Sequence, residues 1–498
     1  MDIHIDDQGV RSRMKTLKAI VTNKRCSSSS SRREEGSREN NNETNIIVNG
    51  GHGTKTTINP DVIKAGLANS LVKHPRFSSL QVPSKGVEMK WVRTEVNLEN
   101  HVIVPDLDAN MDSPDKFVED YISNITKNPI DMSKPLWELH LLNLKTAEAE
   151  AVGVLRAHHS LGDGTSLMSL LLACTRKTAD PNALPTVPVM TKRSVCSKSS
   201  NRFWQIFVAI WTVFQLVRNT IVDILMFIAT SIFLKDTETP LKGAPGVEFT
   251  TKRFVHRIVS LDDIKLVKNA MNMTINDVVL GVTAAGLSRY LNRRYGEGKK
   301  DEEATEEKNN LPKDIRLRSN ILVNIRPSKG IQASAKMMEK HKIDANWGNL
   351  LGYVLLPFTI ALRNNPLDYV REAKATIDRK KNSYEALYTF LISEPILKFF
   401  GIKAAAALTH NIITHTTMSF SNLIGPQEEI SFYGHPIAYL APSTYGLPHA
   451  FIINYQSYVN KMIIVLAVDQ DAVPDPHQLC DDLEESLKLI KDAVVAKC

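Results

Sequence analysis

The stretch from Phe203 to Leu234 places the strongest constraint on how this chain folds. It carries Trp204, Phe207, Trp211, Phe214, Phe227 and Phe233 among aliphatic neighbours. Only Arg218 and Asp223 bring charge into it, leaving uncharged runs of 15 and 11 residues. A helix needs about 18–20 apolar residues to cross bilayer hydrocarbon, so neither run suffices alone. Three arrangements remain: a buried or mutually packed helical pair, a helix dipping into or lying on a membrane interface, and a true span. The aromatic content favours contact with lipid.

The rest of the chain must supply a core of its own. Hydrophobic residues fill 43 % of its 498 positions and charged residues 23 %, the proportions of a globular protein of two to three domains. Disordered, collagen-like and disulfide-stapled chains are excluded. The 61 basic and 54 acidic side chains leave a net charge of +7, mild over this length. No long basic run with interleaved aromatics accompanies it, so nucleic acid is not an expected partner. Weak attraction to an anionic membrane surface is. Five scattered cysteines, Cys26, Cys174, Cys196, Cys480 and Cys498, form no CxxC pair. That pattern supports neither a zinc knuckle nor a disulfide framework, and fits a reducing, cytosolic exposure. The opening MDIHIDDQGVRSR carries acids and no apolar run, so no secretory signal is expected.

Residues 1–50 are expected to form a disordered leader, with a serine run at Ser27–Ser31 followed by RREEGSRENNNET. Order is expected from near Lys55. Asn59 as N-cap and Pro60 at the first position open a helix that sets Val62, Ile63, Leu67 and Leu71 on one face. Ser113 and Pro114 open a second, with Phe117, Val118, Tyr121 and Ile125 on one side. Residues 89–96, 136–144 and 151–159 alternate as strands with one buried face. An apolar helix follows over Thr165–Thr175, and 178–200 reads as a linker.

The second half opens with a strand over 248–260, then helices over Leu261–Met271 and Ile275–Arg294, the latter capped by Thr274. Residues 297–313 read as a solvated charged loop. Strands over 321–327, 353–358, 415–426 and 461–471 and an amphipathic helix from Pro476 to Val495 complete a mixed α/β inventory. The expected division is leader 1–50, first α/β unit 51–185, connecting segment 186–245 with the apolar stretch, and second α/β unit 246–498.

One cluster carries chemistry: His158-His159-Ser160-Leu161-Gly162-Asp163-Gly164, between the strand at 151–157 and the helix from Thr165. Adjacent histidines at a strand end face opposite ways, so one can enter a cleft while the other packs behind it. The glycines permit a tight turn, and Asp163 can hold the loop by accepting hydrogen bonds. Histidine is the natural general base at neutral pH. No GxSxG elbow or recognisable nucleophilic cysteine accompanies it, which points to direct transfer without a covalent intermediate. Two other readings stand beside this one: His158, His159 and Asp163 as metal ligands, and a polar loop that merely satisfies itself.

HHSLGDG resembles the HHxxxDG signature of plant wax ester synthase/diacylglycerol acyltransferases, a branch of the CoA-dependent acyltransferase superfamily. Residues 59–79, 131–144, 274–294, 322–327, 347–358, 419–437 and 468–476 resemble that family's segments in its order. The resemblance implies two similar α/β subdomains with a tunnel between them. It makes His159 the catalytic base and His158 its neighbour in the signature, with Asp163 and Gly164 holding the loop. Asn276 and Asp277 match a second Asn-Asp motif. Asn276 is then a candidate oxyanion or substrate contact, and equally a residue that merely opens a helix. Pro135-Leu136-Trp137 matches a packing motif.

Acyl-CoA is implied as co-substrate, with no bound cofactor and no metal. The implied acceptor is a long-chain fatty alcohol, giving wax ester, with diacylglycerol as a second acceptor. The implied location is the cytosolic face of the endoplasmic reticulum membrane, or the cell membrane. Two family features are not found: an opening Pro-Leu-Ser motif before Asn59, and the Asp-Phe-Gly-Trp-Gly motif of the relatives that acylate soluble metabolites. The first motivates a second reading, a catalytically weak lipid-binding or partner protein with an incomplete first subdomain.

Overall fold

The computed structural model describes residues 47–83, 89–108, 111–187, 202–297, 308–325, 334–335, 338 and 347–497. Most of the expected leader, much of the linker and the charged loop over 298–307 lie outside the described residues. Two sheets organise the chain. The first runs β4 (Val102–Ile103), β5 (Trp137–Leu142), β6 (Ala151–His158), β1 (Ile47–Thr54), β13 (His435–Tyr445), β12 (Ile430–Phe432), β7 (Thr175–Lys177). The second runs β10 (Leu351–Phe358), β9 (Leu317–Asn324), β11 (Met418–Leu423), β14 (Phe451–Tyr458), β15 (Lys461–Asp469), β8 (Lys252–Ser260). A hairpin of β2 (Ser79–Pro83) and β3 (Met89–Arg93) stands apart.

The first described strand lies ahead of Lys55, where order was expected to begin. Strand β1 lies inside the first sheet, antiparallel to β6 on one side and β13 on the other. Its sequence, IVNGGHGT, hides it, because glycines at 50, 51 and 53 leave no alternation to read. The glycine at 53 is a packing requirement: a Cβ there would lie 2.3 Å from the Tyr439 ring. The first half therefore does not lack its central strand.

The division at residue 246 is also crossed. Strands β12 and β13 come from the second half of the chain yet complete the first sheet, with β13 paired to β1 from Ile47↔Tyr445 to Thr54↔Ile437.

Strands β5 and β6 are covered on both faces, not one. Leu139 and Leu141 join one core cluster, while Leu142, Val152 and Val154 join another beneath α2 (Pro114–Ile125). Helix α1 (Pro60–Asn69) is capped by Asn59, whose side chain accepts from the N–H groups of Asp61 and Val62. It buries Ile63 and Leu67, but Val62 turns outward at 43 % exposure. Helix α3 (Gly164–Ala173) follows β6 directly.

The second core packs its sheet against α5 (Leu261–Ala270), α6 (Ile275–Glu297), α7 (Leu367–Lys381) and α9 (Pro476–Val495). Thr274 and Asp277 form a reciprocal cap at the start of α6. Thr274 N–H donates to Asp277 Oδ2 at 2.8 Å, and Asp277 N–H to Thr274 Oγ1 at 3.2 Å.

The apolar stretch forms one continuous helix, α4 (Arg202–Ile232), rather than a pair, and every residue from Phe203 to Phe214 is exposed. Only its second half meets the body. Phe227 packs with Leu355 and Ile412. Asp223 Oδ1 accepts from Lys380 Nζ and from Arg379, each at 2.9 Å. Asp236, just beyond the helix, accepts from Arg318 Nε at 2.6 Å. The partner of α4 is α8 (Glu385–Thr414), which breaks at Gly401 (φ 79°).

Candidate active site

The loop is built from the end of β6. His158 closes the strand on a hydrogen bond from its N–H to the Leu136 carbonyl at 3.0 Å, so the Pro-Leu-Trp segment supports the site from behind. Leu136 and Trp137 are fully buried, in keeping with packing. The chain then makes one tight helical turn over His159–Leu161. The His158 ring folds back on it: Ser160 N–H donates to Nδ1 at 3.3 Å, and Ser160 Oγ lies 2.7 Å from the same nitrogen. His158 thus shapes the loop that carries His159.

Each carbonyl of that turn receives a side-chain donor from elsewhere. Asn349 Nδ2 donates to the His159 carbonyl at 3.1 Å, Arg76 Nη1 to that of Ser160 at 3.4 Å, and Trp347 Nε1 to that of Leu161 at 2.8 Å. The Arg76 guanidinium is itself held over the Trp91 ring at 4.4 Å. Asp163 is fully buried and divides its carboxylate between the halves. Oδ1 accepts from Ser166 N–H at 2.9 Å, capping α3, and Oδ2 from Leu350 N–H at 3.3 Å.

The glycine that packing demands is Gly162, where a Cβ would press on Ser166 at 3.1 Å and Trp347 at 3.4 Å. At Gly164 a Cβ would only reach Leu423 at 3.8 Å, an ordinary contact. Space is therefore tighter at Gly162 than at Gly164.

Burial lowers the pKa of His159 below the usual 6.5, while Asp163, a bond to its own carbonyl and Asn349 pull it back up. His158 is lowered to about 4, by burial first and by the neighbouring His159 second. Both shifts favour the neutral ring. The loop does not gather as a metal site, since the His158 ring and the Asp163 carboxylate are committed to the groups just named.

Asn276 stands in the first turn of α6, but Thr274 and Asp277 already make the cap, so its side chain is not needed there. Its Oδ1 accepts from Asn422 Nδ2 at 2.5 Å. Asn422 lies on β11 beside Leu423, the residue nearest a Cβ at Gly164. The histidine loop and the Asn-Asp motif thus each meet the end of β11, through Leu423 and Asn422 respectively. Two apolar cavities, one behind α3 (Leu67, Leu71, Leu170, Cys174) and one against α6 (Leu280, Ala284, Phe358), are lined by neither histidine.

Sequence reasoning missed the donors Arg76, Trp347, Asn349 and the Leu350 N–H. The available signal was the WGNLL run at 347–351, which matched the family segment but contains no titratable group.

Residues 52–279 match the wax ester synthase/diacylglycerol acyltransferase catalytic domain, and residues 347–491 the WS/DGAT C-terminal domain. Wax ester synthase/diacylglycerol acyltransferase 11 of Arabidopsis thaliana is 54 % identical over 448 residues, which cover 89 % of this chain and 91 % of the relative. The chain belongs to the wax ester synthase/diacylglycerol acyltransferase family. Number 5 of the same plant is 52 % identical over 456 residues, covering 89 % of each chain.

Among solved structures, the wax ester synthase/diacylglycerol acyltransferase of Marinobacter aquaeolei VT8 aligns with a TM-score of 0.57. It is 17 % identical, over 91 % of this chain and 96 % of that one. The first condensation domain of the CDA synthetase aligns at 0.51 and 11 % identity, over 91 % of each. These two establish the fold, and membership of the wax ester synthase/diacylglycerol acyltransferase family makes the chain an acyltransferase. The family's catalytic domain spans both HHSLGDG and Asn276-Asp277.

Proposed function

We propose that the enzyme transfers a fatty acyl group from acyl-CoA directly onto the hydroxyl of a long-chain fatty alcohol, with diacylglycerol as second acceptor and His159 as general base. The observation that carries this is the fixed turn 159–161, whose carbonyls are held by Asn349 and Trp347 of the second half and Arg76 of the first, so that His159 stands at the seam between the halves. A thioester is already activated. The protein must align it with the hydroxyl, remove one proton and steady one oxyanion.

His159 Nε2 takes the hydroxyl proton as the oxygen attacks the thioester carbon. The new C–O bond forms, the C–S bond breaks, and the departing thiolate takes the proton from the imidazolium. Asn276, with Oδ1 engaged by Asn422, keeps its amide N–H groups for the oxyanion or the substrate. His158 and Asp163 are positioning residues.

The exposed aromatic face of α4 supports attachment to a membrane surface, where such acceptors dissolve. We assign the enzyme to the cytosolic face of the endoplasmic reticulum or cell membrane. The test is a labelled palmitoyl-CoA assay on membranes from cells lacking neutral-lipid synthesis, offering hexadecanol and diacylglycerol in parallel. Ester that disappears with His159→Ala is expected. Equal label with and without His159 would refute the mechanism, and the preferred acceptor ranks the two products.

A further inference from the structure

Helix α8 has a feature that catalysis does not use. Its 30 residues would reach about 45 Å if straight, yet both its ends sit on strand β10. At the start, Glu385 accepts from Leu355 N–H at 3.0 Å and Thr389 Oγ1 from Tyr353 N–H at 2.8 Å. Near the end, Leu408 and Ile412 pack with Tyr353 and Leu355. The helix therefore doubles back, and the reversal is at Gly401, whose φ of 79° favours glycine.

From Thr389 the first arm runs about 17 Å outward before it turns. At the turn stand Phe399 and Phe400, exposed at 77 % and 73 %, with Leu397 and Leu391 exposed along the arm. Lys398 and Lys403 flank the phenylalanines and are exposed; Glu394, one turn before Lys398, is the nearest acid in sequence.

The arm leaves the body where α4 does. Tyr384 N–H donates to Thr220 Oγ1 at 3.0 Å, and Asn219 Nδ2 to the Asn382 carbonyl at 3.2 Å. Two uncovered apolar elements thus share one root.

We infer that the turn of α8 is a second membrane contact: Phe399 and Phe400 enter the interfacial layer of an anionic bilayer while Lys398 and Lys403 bind its headgroups. Two adjacent aromatic rings bracketed by cations suit that layer, where rings sit at headgroup level and lysine stems let the ammonium groups reach phosphate. The turn needs no more reach than it has, because interfacial insertion is only about 5–10 Å deep. The inference rests on the reading that α4 meets lipid and gives the attachment two points instead of one. A body held at two points cannot swivel about a single helix, which fixes the seam at His159 relative to the layer that supplies acceptors.

The test uses the full chain in detergent, with Cys26, Cys196 and Cys498 changed to serine so that only the two buried cysteines, Cys174 and Cys480, remain. A solvent-sensitive fluorophore is attached at Phe400→Cys, and in a control at Lys488→Cys on α9. With phosphatidylcholine/phosphatidylserine vesicles, the label at 400 should shift to the blue and be quenched by lipids brominated in their tails. The control should do neither. Phe399→Glu/Phe400→Glu should weaken vesicle flotation by about tenfold or more. Lys398→Ala/Lys403→Ala should weaken it only when phosphatidylserine is present.

A label at 400 that stays in water while the vesicles still bind, with binding lost instead on Trp204→Glu/Phe207→Glu/Trp211→Glu, overturns the second contact and leaves that of α4 standing. Absence of vesicle binding by the unmutated chain overturns both. Conversion of a detergent-solubilised dimer to monomer by Phe399→Glu/Phe400→Glu would make the turn a self-interface and also overturn the inference.

Discussion

The loop that carries His159 and the apolar helix α4 each depend on a buried aspartate, and the two aspartates work differently. Asp163 gives its oxygens to the backbone N–H groups of Ser166 and Leu350, one in each half of the chain. Asp223 gathers charge instead. Lys380 and Arg379 share its Oδ1, Lys380 passes on to Glu385 at 2.7 Å, and Oδ2 has no hydrogen-bond partner among the described residues. Around Asp163 every carbonyl of the turn is taken. Beyond Asp223 the helix runs back toward its N-terminus into residues, Phe203 to Phe214, that are left exposed among the described residues. Hydrogen bonds spread over several backbone groups fix position, as a general base requires. A charged anchor holds a projecting element whose surroundings lie outside the protein.

The comparison breaks most visibly at its catalytic end. His159→Ala should cut turnover by about 10²–10⁴-fold, while thermal unfolding and vesicle binding stay as they were. A parallel loss of unfolding temperature would mean that the imidazole supports the loop rather than reacting from it. At the other end, Asp223→Ala leaves Lys380, 4 % exposed, with one carboxylate fewer. Removing one member of a buried ion pair costs about 3–5 kcal/mol, so urea unfolding should move to clearly lower denaturant. Ester formation by the folded fraction should be preserved. An unchanged midpoint would show that Phe227 and its apolar neighbours hold the helix without the charges.

Legibility followed the same division. The α/β character, the α6 and α9 helices and the histidine loop were visible because their signals are local: periodicity, caps and a seven-residue motif. Strand β1 was not, because its glycines carry no alternation and its place between β6 and β13 is set by partners far along the chain. Nor was the membership of β12 and β13 in the first sheet, since pairing across four hundred or so residues leaves no local trace. At the site, sequence gave the histidines and Asp163, but the groups that hold them, Asn349, Trp347 and Arg76, are ordinary residues made important by position. For α4, composition announced the exposure, but two charges broke the run and concealed that the helix is continuous.

The clasp can be probed by a smaller step. Asn349→Ala removes one hydrogen bond from the His159 carbonyl, a loss of about 1 kcal/mol in holding the turn, so turnover should fall by up to about tenfold. Asn349 also raises the pKa of His159. Its removal should therefore move the acid limb of the pH–rate profile to lower pH even as the maximum falls. A limb that moves upward would contradict the assignment of His159 as the titrating base.

The smallest expected effect lies at the root of α4. The carboxyl of Glu385 is pushed up from 4.5 to about 7, first by burial, with the neighbouring Asp223 adding to it and Lys380 and Leu355 N–H opposing it. A carboxyl whose pKa is raised on folding binds its proton more tightly in the native state. Its contribution is full below about 4.5 and is lost as pH rises toward about 7. Glu138, among Arg156, Lys134 and His140, is lowered to about 2 and behaves oppositely: its contribution is present above about 4.5 and lost only as pH falls toward about 2. Raising the pH from about 6 to about 8 should thus loosen the anchor of α4 while Glu138 itself stays ionised throughout. Glu385→Gln, which keeps a neutral side chain at every pH, should flatten the change in unfolding temperature over that interval. If the slope survives the substitution, the proton belongs elsewhere, and the contrast between a clasp of backbone hydrogen bonds and an anchor of paired charges loses its pH signature.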